Sequence, residues 1–205
     1  MKHTSLIQLG GLAPVVGGVI FAIVNSLADP SYPAGGTRVW DHILVSDYLL
    51  PLSMMAVIVA IHLLHRERGR YGLGGTRAFF TAFVGVALIL GGNFLSLFIP
   101  DKAGILHLLF LMGDPLFLVG ALVATVGIIR LAVVTLTVGV LPRWGGVALI
   151  AGSPLLPFII DIFYGAFFGT SYVTESWLVA LPWIAVGLAV FLAARRRTAQ
   201  PSRVR

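Results

Sequence analysis

The chain has 205 residues, is 58% hydrophobic and only 11% charged, and has a mean hydropathy of +0.98. Soluble domains carry ~25% charged residues, so this composition excludes an ordinary soluble globular domain. The formal charge of +6 does not mark a nucleic-acid surface, because the basic residues cluster between apolar runs, and the lack of cysteine excludes disulfides, thiolate metal sites and cysteine nucleophiles.

Six apolar stretches, at 5–28, 43–64, 78–99, 105–130, 145–168 and 177–194, are long enough to span. Each is near the ~20 residues a helix needs to cross ~30 Å of hydrocarbon. The runs are continuous rather than alternating, which argues against a barrel. The expected fold is an all-α integral membrane protein with six transmembrane helices in one bundle over 1–194, followed by a basic tail at 195–205.

In chain order, the first stretch ends in "NSLADP", whose Ser26 and Ala28 resemble a signal-peptidase site. Its apolar region exceeds the roughly 7–15 residues of a signal peptide, so it reads as a retained helix, with Asn25 ~5 Å from its outer end. The second carries Asp47 and Tyr48 near Asp41 and His42, shallow enough for a structural or rim role. At its other end His62 and His65 stand beside "RER" and read as headgroup-level residues, and the "GLGG" that follows reads as a flexible turn. No strand precedes that turn, so it is not a nucleotide fingerprint. The third stretch holds Asn93, ~9 Å inside its outer end.

The fourth contains "LFLMGDPLFLVG", with Asp114 next to Pro115. If this stretch spans 105–130, Asp114 lies ~14 Å deep, near the midplane. His107, seven residues earlier, shares its helical face. Pro115 removes a backbone donor and is expected to kink the helix. The functional reading makes Asp114 a proton donor in an apolar site; the structural reading bonds it to a freed backbone group or to a neighbouring Asn. The following "LAVVTLTVGVL" reads as an extension of this helix along the surface.

In the fifth stretch Asp161 shares a face with Phe158, Tyr164 and Phe168, and Pro154 and Pro157 loosen the backbone just before it. Aromatic rings beside an acid suit a substrate that develops positive charge; the plain alternative is core packing. Trp183 in the sixth stretch either lines the same pocket or packs the core. Trp40, Trp177 and Tyr172 read as an outer aromatic belt, and Trp144 as an inner one.

With six spans, twelve Lys and Arg fall on one side and only Arg38 and Lys102 on the other, which puts both termini in the cytoplasm. Gly17 and Asn25, Gly85 and Asn93, and Ser153 and Asp161 have one internal spacing and recur every 68 residues. This pattern fits three repeated helical hairpins; coincidence among similar apolar segments is the alternative. Within the spans the aspartates and asparagines lie in the outer halves, which favours binding or chemistry on something entering from there.

No zinc-protease, hydrolase-elbow or phosphate-loop motif occurs, and neither metal nor cofactor is expected. The favoured expectation is a cell-membrane enzyme acting on an isoprenoid or another lipid. Its acid-initiated chemistry protonates an alkene, epoxide or vinyl ether, as membrane terpene cyclases and vinyl-ether lipid hydrolases do by reaction type. Asp114 and Asp161 are the candidate catalytic acids. Asn25, Asp47, Asn93, His107, Phe158, Tyr164 and Trp183 are the candidate substrate contacts. A proton-coupled transporter and a noncatalytic assembly subunit are the alternatives. The expected partners are the bilayer and an apolar small molecule; small-residue faces leave homo-oligomers open.

Overall fold

The computed structural model describes residues 2–27, 44–67, 69, 72–98, 108–109, 111–156, 159 and 172–198. Among these the chain is helical and carries no strand. Helix α1 spans Lys2–Leu27. A wide π turn, Leu44–Leu49, leads directly into α2, Leu50–Glu67. Then follow α3 (Gly72–Phe98), α4 (Gly113–Val138), α5 (Arg143–Ala151) and α6 (Tyr172–Thr198). Five segments are long and apolar enough to cross a membrane: Thr4–Val24, Asp47–Glu67, Gly72–Leu97, Gly113–Val138 and Trp177–Arg196. They mark a multi-pass membrane protein.

Each helix packs on its chain neighbour and α6 returns to α1, so the described helices close a ring in chain order, with α2 also touching α6. Helix α2 is the most enclosed, with 56% of its apolar window buried against 39% for the other four spans. Small residues let the backbones meet. Gly10 beds on Ala56 and Ala60, Gly17 on Ser53, and Gly11 on the backbone of Phe191. In lipid, such close van der Waals contact replaces the hydrophobic drive between helices.

The α3–α4 hairpin is the closest pair. Ala82 faces Gly127, Gly85 faces Ala124, Ile89 faces Gly120 and Gly92 faces Phe117, a single antiparallel register in which a side chain on Gly85 or Gly127 would run into the opposing backbone. This register carries α3 and α4 beyond their expected ends. The "GLGG" expected to be a turn forms the start of α3, where Gly75 is buried. The segment expected on the surface is instead the last two turns of α4, with Leu131, Ala132 and Thr135 fully buried. Gly139 ends α4 in the left-handed conformation, φ 68°, and its N–H caps Thr135 O at 3.0 Å.

The start of α4 also differs from expectation. Pro115 has no N–H for Leu111 O, and the helix restarts at Gly113 after a separate turn closed by Met112 N–H to Leu108 O, 3.1 Å. Pro115 thus sits in a first turn, where its missing donor costs little, instead of kinking a continuous span.

At the fifth expected span the structure places α5, nine residues long with a rise of ~13.5 Å, which begins two residues before that span. It ends at Gly152, whose N–H bonds Ala148 O at 2.8 Å, and tight turns follow through Ser153 and Pro154. Thr125 Oγ1 on α4 accepts the Leu155 N–H at 3.1 Å. Residues 160–168 of that stretch lie outside the described residues.

Candidate functional site

The polar groups that meet between helices begin with a proline. In an α-helix the Asp47 carbonyl would accept from residue 51, but that residue is Pro51, which has no N–H and crowds the carbonyl. The backbone widens into the π turn here, and Asn93 Nδ2 on α3 donates to Asp47 O at 2.8 Å. Asn93 is therefore an interhelical donor to a carbonyl that Pro51 leaves without its usual partner.

Further along α3, Ser96 Oγ donates to Asp114 Oδ1 at 3.2 Å. At ~100° per residue from the α3–α4 contact stripe, Asn93 and Asp114 both turn to the side of the hairpin on which α2 packs. That side is identified by two contacts of α2, His62 stacked on Phe79 and His65 bonded to Thr135. Asp47, Asn93, Ser96 and Asp114 thus form one polar layer on one side of the hairpin.

The layer lies far from the basic end. Asp114 is sixteen residues from Arg130 and Asn93 sixteen from Arg77, so both rise ~24 Å above the arginines along their helices. Both therefore stand near the ends of their candidate spans that lie away from the arginines. Helix α4 begins at Gly113, so Asp114 occupies its first turn instead of lying ~14 Å along the helix. Asp114 is exposed, among Leu111, Met112, Phe117 and Leu118, which are exposed as well.

The basic end holds a second polar contact that sequence reasoning missed. His65 was expected at headgroup level, yet it and Thr135 are both 0% exposed. Thr135 Oγ1 donates to Leu131 O at 2.7 Å, and with that proton committed its oxygen accepts from His65 Nε2 at 3.0 Å. His62 stacks on Phe79 with ring centroids 4.0 Å apart. Nothing local in the sequence pairs His65 with a threonine seventy residues away. The Asp47–Pro51 spacing, by contrast, was a readable sign of a carbonyl in need of a donor.

Trp183, expected to line a pocket or the core, is 1% exposed and packs its indole against Gly152, so it holds α6 to the end of α5. His107, Phe158, Asp161 and Tyr164 lie outside the described residues, as does the side chain of Asn25 on α1. Among the described residues no three His, Asp or Glu side chains gather as metal ligands would. No protein-family model, curated protein or solved structure matches the chain.

What the layer offers chemically is a carboxyl oriented by one hydroxyl, exposed at an apolar rim. Ser96 engages Oδ1, and a carboxyl has a second oxygen for proton exchange.

Proposed function

We propose that this protein is an integral-membrane enzyme that acts on an apolar substrate, an isoprenoid or another lipid, with Asp114 as the general acid. The observation that carries the reading is the exposure of Asp114 at an apolar rim, with Ser96 holding only one of its oxygens. An acid used as glue between helices would be enclosed by them. In the proposed step the carboxyl proton passes to one carbon of an alkene, whose π pair becomes the new C–H bond and leaves a cation on the neighbouring carbon. A carboxylate, Asp161 or Asp114 itself, then takes a proton from an adjacent carbon and a new double bond forms. The balance needs no cofactor and no co-reactant. Asn93 and Trp183 are committed to Asp47 O and Gly152, so they support the site rather than touch substrate. His107, Phe158, Tyr164 and Asn25 complete the proposed pocket.

The proposal includes the wider topology: six spans, with α5 beginning the fifth, in the cell membrane, and both termini on the cytoplasmic, arginine-rich side. The three-hairpin repeat belongs to it too, supported by Gly17 and Gly85, which occupy equivalent positions and each bed on the following helix, at Ser53 and Ala124.

The test uses purified protein in lipid nanodiscs in D2O, given a linear polyprenyl alkene or a vinyl-ether lipid, with products read by mass spectrometry. Carbon-bound deuterium in the product is expected, and Asp114→Asn should lower its rate by ~100-fold or more. No deuterated product from either substrate, or full activity in Asp114→Leu, overturns the enzyme reading. A second reading, proton-coupled transport, is favoured by the end of α5 at Gly152, since interrupted helices line transporter sites. Solute uptake driven by a proton gradient in proteoliposomes, lost in Asp114→Asn, would replace the first reading with it.

A further inference from the structure

Arg77 and Arg130 are unlike the other arginines of this end. Arg77 is the sixth residue of α3, and Arg130 lies eight residues before the end of α4, so both stand inside apolar spans. The register that sets Ala82 against Gly127 puts their Cα atoms about two residues apart along the hairpin, ~3 Å. Counting ~100° per residue from the contact stripe, both project to the same side, the one facing away from α2. Both are exposed.

Two guanidinium groups at one level repel each other unless an anion lies between them. The chain supplies none among its described residues. Asp114 sits at the opposite end of α4, Asp47 and Glu67 belong to the α2 side, and neither arginine forms an ion pair with a described residue. Above the pair, the groove between the two helices is lined by Val84, Leu88, Val119, Val123 and Val126, all exposed or half-buried. From Arg130 to Val119 it rises ~16 Å, the depth of one leaflet in a core of ~30 Å. A site with two charge-assisted donors at the headgroup end and one leaflet of apolar groove matches a single lipid molecule.

We propose that this groove holds one anionic phospholipid from the leaflet on the arginine side. Its phosphate lies between Arg77 and Arg130 and one acyl chain runs along α3 and α4 toward Val119. The tight glycine packing below keeps the two arginines at a fixed separation, which favours a bound lipid over a diffuse headgroup layer. The assignment is independent of the chemistry proposed for Asp114.

Native mass spectrometry of the full chain, released from micelles containing equal phosphatidylglycerol and phosphatidylcholine, tests it. The wild type is expected to retain one phosphatidylglycerol in preference to phosphatidylcholine. Arg77→Gln and Arg130→Gln should each cut that retention about tenfold, while Arg196→Gln on α6 leaves it unchanged. Millimolar inorganic phosphate should not displace the lipid, since it cannot fill the apolar groove. Equal retention of the two lipids, wild-type retention in both Gln variants, or displacement by phosphate overturns the proposal. Should a Gln variant fail to fold, Arg77→Lys and Arg130→Lys replace it. They keep the charge but lose the fork, and are expected to hold phosphatidylglycerol less well; retention equal to wild type refutes the clamp.

Discussion

Replacing Asn93 by Leu tests the reasoning about Pro51 most directly. The substitution removes the 2.8 Å hydrogen bond to Asp47 O, the carbonyl for which Pro51 has no N–H. Hydrogen bonds between membrane helices average ~0.6 kcal/mol and reach ~1.7. A carbonyl left short of a donor in a dry site costs ~1–3 kcal/mol. Asn93 is half-buried, so a loss of about 1 kcal/mol is expected, roughly fivefold in the folding constant. The decisive comparison is the same substitution in a Pro51→Ala background. The alanine brings an N–H, the π turn can tighten to α geometry, and Asp47 O regains its own helical donor. There Asn93→Leu should cost close to nothing, a coupling of about 1 kcal/mol in a double-mutant cycle. Reversible unfolding in mixed micelles, followed by tryptophan fluorescence, measures all four proteins. The packing change at residue 93 is common to both backgrounds and cancels. If Asn93→Leu costs the same in both, to within ~0.3 kcal/mol, Pro51 is not the reason the amide is needed.

Two further outcomes follow from the packing. Gly127→Ala would drive a methyl group into the Ala82 backbone and should destabilise by about 1–3 kcal/mol. Gly91→Ala on the same hairpin meets only Leu116 Cδ2, at 3.5 Å, and should stay within ~0.5 kcal/mol; similar melting temperatures for the two would contradict the register. Thr135→Val keeps the shape but removes the acceptor of His65 Nε2, for an expected loss of about 1–3 kcal/mol. An unchanged melting temperature would show that the buried pair does not tie α2 to α4.

Composition and apolar run length determined the class of this protein and the location of most spans. Whether about twenty residues prefer lipid is a sum over the residues themselves, and it needs no knowledge of neighbours. The same local reading picked out Asp47, Asn93 and Asp114 as polar side chains set in apolar surroundings. Tertiary structure decided what each of them does. Asn93 meets a carbonyl forty-six residues away and His65 a hydroxyl seventy residues away. The eight residues of α4 after Arg130 are helical and partly buried because α3 and α5 pack on α4 and His65 of α2 bonds Thr135. Arg77 and Arg130 share a level and a side only because glycines let two backbones touch in one register. Hydropathy is additive along the chain and so legible from it. Depth, facing and partnership are set by how helices interlock, and that depends on the shape of the opposing surface as much as on the residue itself.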